Sequence, residues 1–377
     1  MVHVLQLKYY KARYKMRTMR KVVKIFFSLL FCFNTILLNG SEIKNNIEVK
    51  EPPYVIISIR TDANEFMRAL VDGAKLFAKS IGSQDKVISL FNYGNSEKQI
   101  QDLRLTLEKI GSNAILFMDA NDEKDLIFLV NIATDYGIYF STVFNKPSEL
   151  WPWDFGKYWV THTIPDAFLS GTLTAQEIVR KIDGKGNILL VEGRVNNTTN
   201  RERVRGLKNV LKNYPDIKIL DSKTANWSRA ESSMLVTKWF TKYSINDVQA
   251  IWAANDEMAL GAIEVLKEMG VEKQIAVSGV DGTGESARSV IFKEMTCTVS
   301  TYPYWQSGMG LSFAYQAYLG DIDPLKLPHE KRAFYTKTRL ITSENAQDFL
   351  ENYIINPPKI DYSKLWDEKY NRPMQKN

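Results

Sequence analysis

Polar side chains suited to holding a small molecule stand directly behind the apolar runs of this chain: 61–64, Asn145 and Lys146, 192–200, Asn255 and Asp281. Amides, hydroxyls and carboxylates in such places make directed hydrogen bonds, so the chemistry they suggest is recognition of a polar ligand. The clearest case is the stretch 251–262, Ile-Trp-Ala-Ala-Asn-Asp-Glu-Met-Ala-Leu-Gly-Ala. A short apolar strand meets Asn255-Asp256, and a helical pattern begins at once. Asp256 is placed to accept hydrogen bonds from the free N–H groups of the first helical turn. Asn255 sits at the carboxyl end of the strand, where open α/β sheets bind ligands. About 25 residues later, Ile-Ala-Val-Ser-Gly-Val-Asp-Gly-Thr repeats the arrangement with Asp281 just past a strand. Taken by itself, the Asn-Asp pair also reads as a helix cap and nothing more.

Bond-making chemistry finds little support. Beyond residue 40 the histidines are His162 and His329, and the cysteine is Cys297. No two histidines have metal-ligand spacing, and no Gly-x-Ser-x-Gly elbow occurs. Gly184-Lys185-Gly186 lacks the further glycine and the Lys-Ser/Thr of a phosphate loop, so it reads as a turn. Glu192 and Asp281 are acids at strand ends, but nothing in the sequence marks their pKa values as tuned. The expectation is a binding protein with no catalytic residue, no metal and no cofactor.

The elements that must position these groups alternate. Apolar runs at 54–59, 86–91, 114–118 and 138–144 are separated by helical patterns at 65–81, 97–110 and 123–136, the last two ended by Gly111 and Gly137. In the first helix Phe66, Leu70, Ala74, Phe77 and Ala78 fall near one face. Residues 151–164 interrupt the rhythm with Trp151, Trp153 and Trp159. A second series follows: helices at 167–181, 201–213 and 229–243, strands at 188–192, 217–221 and 250–253. Strand–helix units of this kind imply right-handed crossovers and parallel sheets. The fold class is α/β, with two doubly wound parallel-sheet lobes. The three tryptophans read as packing under the linker or as an aromatic wall at the cleft rim, and His162 as structural.

The N-terminus has a different character. Residues 1–24 carry eight Lys/Arg and no acid, 25–38 is a mostly apolar run, and Asn39-Gly40-Ser41 ends it. This is the pattern of a cleavable signal peptide over 1–40; the run falls short of the roughly 20 residues of a membrane span. Met16 or Met19 would give a more ordinary start. Cys32 lies inside the apolar run, which argues against a lipoprotein. Taking eight cations from a chain of net charge +6 leaves −2 for the remainder, so the overall basicity predicts no nucleic-acid surface. Only Cys297 then remains, and stability must come from packing.

The segments around Asn255 and Asp281 together resemble the periplasmic binding proteins of the ribose-binding type, whose soluble relatives include the LacI-type repressors. The resemblance covers about 50–345. It implies a three-strand hinge, with crossings near 163–166, 300–303 and 335–337. The first lobe would hold 50–164 and 302–335, the second 165–301 and 336–350, and 351–377 would form a tail lying along a lobe or in part disordered. The residues matching Asn255 and Asp281 bond a sugar's hydroxyls in that family. Asn64-Glu65-Phe66-Met67 is similar to its first contact segment, with Asn64 bonding and Phe66 stacking, and Met67 where a second aromatic stands. Asn200-Arg201-Glu202-Arg203 is similar to its Arg-Glu-Arg segment, with Arg201 forking onto ligand oxygens. Trp227 falls at an aromatic position suited to a sugar's C–H face. Two positions depart from the pattern: Phe144-Asn145 replaces an Asp-Arg pair, and Thr301 a Gln. The residue-level alternatives are a solvated helix start for Arg201 and core packing for Trp227 and Phe66.

What the resemblance implies is a monomeric periplasmic protein that captures a sugar in the inter-lobe cleft by hinge closure. It would deliver the sugar to an inner-membrane ABC permease. The alternative is a ligand sensor presenting its bound molecule to a membrane sensor kinase or chemoreceptor. A cytoplasmic repressor is disfavoured by the signal and the lack of a helix-turn-helix. Replacing Asp281 with alanine is expected to abolish binding and leave the fold intact.

Overall fold

The computed structural model describes residues 51–367 and 369–374; the signal peptide expected over 1–40 lies outside them. The chain runs β1 (Tyr54–Ile59), α1 (Glu65–Ser80), β2 (Val87–Phe91), α2 (Ser96–Ile110), β3 (Ala114–Asp119), α3 (Leu126–Asp135), β4 (Tyr139–Val143) and β5 (Trp159–Pro165). It continues with α4 (Ala167–Lys181), β6 (Gly186–Glu192), α5 (Thr198–Leu211), β7 (Ile217–Thr224), α6 (Arg229–Phe240), β8 (Ala250–Ala253), α7 (Asp256–Glu268), β9 (Ala276–Ser278) and α8 (Gly284–Ile291). Then come β10 (Thr298–Ser300), α9 (Pro303–Leu319), β11 (Ala333–Thr336), β12 (Arg339–Ile341), α10 (Ala346–Phe349) and β13 (Lys369–Pro373).

Two sheets organise these elements. The first has strand order β13-β11-β5-β4-β3-β1-β2, the second β7-β6-β8-β9. Within these two sheets all pairs are parallel except β11–β13, and β10 and β12 pair antiparallel in a separate two-stranded sheet. In both sheets the order reverses beside the first strand of its series, β1 in one and β6 in the other. At such switch points neighbouring crossovers leave to opposite faces and open a crevice at the strands' carboxyl ends. The strands are near-continuous apolar runs because helices cover both faces: Ile115, Leu116, Phe117 and Met118 of β3 are all fully buried. Trp159, in the stretch where the alternation fails, is itself a strand residue and is wholly buried.

Apolar clusters divide along the same line. Ile188, Ile251, Val277, Ile341 and Phe349 belong to one core, and Ile56, Leu116, Val143, Phe313 and Phe334 to clusters on the first sheet. The chain therefore crosses between lobes after β5, after β10 and after β11. A fourth crossing exists. From Leu350 in the second core the chain passes Pro357-Pro358 and returns to the first lobe. There Tyr362 and Leu365 join the apolar clusters and β13 adds to the sheet edge. Trp366 donates its indole N–H to the Lys331 carbonyl at 3.2 Å and meets Phe313 edge-on at 5.4 Å.

Candidate functional site

A cavity of about 350 Å³ lies between the lobes at the two switch points. Its walls follow the strand ends: Arg60, Thr61, Ala63 and Asn64 after β1, Asp119 at the end of β3, Phe144 and Asn145 after β4, Asn197 after β6, Asn226 and Trp227 after β7, Asn255 after β8, and Asp281 after β9. Four of these, Phe144, Asn226, Trp227 and Asp281, hold positive φ without being glycine. Backbone strain of this sort concentrates where a side chain must be aimed.

Two asparagines, one from each lobe, line the cavity with one job in common. Asn64 Oδ1 accepts from the Met67 N–H at 2.8 Å and caps α1. Asn255 Oδ1 accepts from Met258 N–H at 3.0 Å and caps α7. Each cap fixes the amide and leaves its NH₂ group for a ligand oxygen. The cap of α7 is thus Asn255, not Asp256. Asp256 is instead fully buried and accepts from the Thr283 N–H at 2.9 Å and the Thr298 hydroxyl at 2.6 Å, tying α7 to α8 and β10.

Charge enters from both lobes. Arg203, Asp281 and Trp227 form one corner. The Arg203 guanidinium donates to the Ala254 carbonyl at 2.5 Å and to Asp281 at 3.4 Å, and its centre lies 5.7 Å from the Trp227 ring. Its Nε–H is buried with no partner among the described residues. Desolvation pushes the Asp281 carboxyl well up, against the pull of Arg203. The Trp227 indole rests on Gly193, where an added Cβ would sit 2.3 Å from the ring. On the other lobe, burial pushes Asp119 up to about 7, offset by hydrogen bonds from the Asn145 backbone and side-chain N–H groups at 3.3 and 3.1 Å. Phe66 and Phe144 pack at 5.9 Å on the same wall.

Of the residues expected at the site, Asn64, Phe66, Asn145, Trp227, Asn255 and Asp281 line this cavity. Arg201 does not: it is half exposed, paired with Glu123 at 3.3 Å. The arginine that enters the cavity is Arg203, because α5 begins at Thr198 and turns residue 203 inward with Asn200, Val204 and Leu207. Thr301 also lies outside the lining, buried in the second crossing with its backbone N–H on the Asp281 carbonyl at 3.3 Å. Asn145 is fully engaged within the protein. Its amide donates to Asp119 and to the Ala120 carbonyl at 2.9 Å, and accepts from Asn197 at 2.8 Å. Arg60, Asp119, Asn197, Asn226 and Glu257 are lining residues not anticipated individually. Asp119 ends an apolar run and was findable by the strand-end rule.

The lobes are closed on one another. Besides Asn197–Asn145, Arg194 donates to Asn121 Oδ1 at 2.8 Å and Thr198 to Glu123 at 2.6 Å.

Comparison with known proteins gives one consistent picture. Residues 55–321 match the model of the periplasmic binding protein domain family. A putative rhizopine-binding protein of Rhizobium meliloti is 27% identical over 303 residues, 76% of this chain and 89% of the relative. The ribose import binding protein of Escherichia coli is 25% identical over 292 residues, 77% of this chain and 92% of the relative. The crystal structure of a twin-arginine translocation pathway signal protein from Burkholderia phytofirmans is similar at a TM-score of 0.83 and 33% identity, over 86% of this chain and 99% of that one.

Proposed function

The chain belongs to the periplasmic binding protein family, and from that premise we propose that it captures a monosaccharide-sized polyol in the inter-lobe cleft for an ABC importer. The observation that carries this reading is the pair of helix-capping amides, Asn64 and Asn255, set on opposite lobes and lining one cavity with Asp119 and the Arg203–Asp281 pair. Donors and acceptors from both sides suit a ring of hydroxyl groups, each of which both donates and accepts. Phe66 and Trp227 supply apolar faces for ring C–H groups. A cavity of about 350 Å³ is at the small end for ligand pockets, which run from roughly 300 Å³ upward. That excludes a long oligosaccharide. Relatives named for binding rhizopine and ribose support the same class.

In this reading the ligand bonds both lobes only in the closed form, so binding shifts the population toward closure. The site holds, without turnover, a ligand that the protein carries as a monomer in the periplasm, reached through the signal at 1–40. A thermal-shift screen against monosaccharides, inositols and linear polyols tests it. A ligand at 100 times its Kd stabilises by about 2.7 kcal/mol. No shift with any neutral polyol, or consumption of one that binds, would overturn the proposal.

A further inference from the structure

A second cavity of about 180 Å³ opens between the lobes beside the first, and Phe144 lines both. Its walls are Lys146, Ser148, Trp151 and His162 from the first lobe, Phe168, Arg201 and Arg205 from the second, and Met374 from the tail. We propose that this cavity is a second ligand site, distinct from the polyol cleft, that takes a small oxyanion carrying a carboxylate or phosphate group.

The argument rests on which groups are left to bond. Trp151 is almost wholly buried, and its indole N–H has no partner among the described residues. An indole nitrogen can only donate, so the missing partner is an acceptor. Lys146 is buried beside it, with Nζ 3.7 Å from the centre of the Trp151 ring and one hydrogen bond among the described residues, to the Pro147 carbonyl at 2.8 Å. An ammonium has three donors and no acceptor. His162 is buried and uncharged, because desolvation and the nearby Lys146 hold its pKa well below the ordinary value. The Thr142 hydroxyl accepts from the Trp159 indole at 2.9 Å and meets His162 Nδ1 at 2.8 Å. With that hydroxyl donating to Nδ1, the ring proton sits on Nε2 and adds another donor.

Within the lining itself the cations Lys146, Arg201 and Arg205 outnumber the one acid, Glu202. Among the described residues Lys146 is the lining cation with no carboxylate in contact, since Arg201 pairs with Glu123 and Arg205 with Glu202. Glu123, Glu149 and Asp154 act on Lys146 from farther off, yet burial still pushes its ammonium down to about 8. An anion beside Lys146 would offset that desolvation and accept from Trp151 and His162 together. A polyol would leave its own donors facing donors. The polyol cleft differs in kind, since Asp119, Asp281 and Glu257 line it along with its arginines.

The test uses the full exported chain, with nitrogen-15 in its indoles. Inorganic phosphate and succinate are titrated in separate arms, against sodium chloride at equal ionic strength. The Trp151 indole resonance, assigned through Trp151→Phe, is the readout. It should move saturably with phosphate or with succinate, and the tighter of the two identifies the head group. Lys146→Met should weaken that binding at least tenfold. Arg201→Gln, an exposed change that leaves folding unaffected, should weaken it about threefold and serves if Lys146→Met misfolds. A movement that chloride reproduces, or one that survives both substitutions unchanged, overturns the proposal.

Discussion

Glu65 of the first lobe accepts a hydrogen bond across the cleft from the backbone N–H of Gly284, the first residue of α8 in the second, at 2.5 Å. Its other carboxylate oxygen accepts from the Glu285 N–H at 3.2 Å. A carboxylate thus closes on the positive end of a helix carried by the opposite lobe. The contact exists only while the lobes are together, so it stabilises closure without touching the ligand.

Glu65→Gln should therefore weaken ligand binding by about tenfold, since a hydrogen bond to a charged group contributes roughly 1.5–3 kcal/mol and the amide retains part of it. The loss should appear in the dissociation rate. Stopped-flow fluorescence with the ligand from the polyol screen checks this; an unchanged dissociation rate would show that the bond does not hold the closed form.

Asp281→Ala should do more than remove a ligand contact. Asp281 and Arg203 are both buried and paired, and deleting one partner strands the other charge at a cost of about 3–5 kcal/mol. The expectation of an intact fold is revised accordingly: binding is lost and the second lobe is destabilised. Asp281→Asn retains an acceptor for Arg203 and should recover much of the stability while binding stays impaired. Chemical denaturation of the two variants separates the effects.

Asp119 gives the molecule a pH dependence. Burial raises its folded-state pKa from 3.8 to about 7. The folded protein therefore favours the protonated acid, and the stability this contributes is present below about pH 4 and lost as pH rises through 7. The effect amounts to a few kcal/mol, at about 1.4 kcal/mol for each tenfold change in proton affinity. Asp119→Asn keeps a carbonyl for the Asn145 N–H groups and does not titrate. Its melting temperature should gain on wild type progressively from pH 4 to 8; a constant difference would mean that Asp119 is ionised throughout.

How much of this was readable follows from how local each feature is. Asn64 and Asn255 were visible because strand, asparagine and helix follow one another in sequence. The resemblance to an Arg-Glu-Arg segment points to its first arginine, Arg201, but residues 201 and 203 lie on different faces of a helix, and it is Arg203 that lines the cavity. The apolar positions Val204, Leu207 and Val210 mark the buried face. The Asn145–Asn197 and Glu65–Gly284 bonds join residues far apart in sequence, and no local pattern encodes them. The tail was opaque for a related reason. β13 is an edge strand whose partner is β11, and its Lys-Tyr-Asn-Arg-Pro sequence has neither length nor alternation to announce it.

That tail changes what the hinge should do. Three crossings would let the lobes bend about one axis, and the fourth adds a strap from Leu350 to Tyr362 over Pro357-Pro358. Its far end is anchored in the first lobe. Tyr362 meets Phe77 edge-on at 5.0 Å and its carbonyl accepts from Ser312 at 2.8 Å, while Lys337 donates to the Asp367 carbonyl at 2.9 Å. A stiff, prolyl strap limits how far the lobes separate. Ending the chain after Asn356 should widen the ligand-free form, seen as a larger radius of gyration in solution scattering. The ligand-bound radius should stay near that of the full chain without the tail's mass. Affinity should fall, because closure now begins from a more open state. The cut also uncovers Phe313, so the melting temperature should drop, and Trp366→Ala in the full chain distinguishes the two effects. That variant loses first-lobe packing but keeps the strap; a ligand-free radius equal to that of the truncated chain would show that packing alone governs opening.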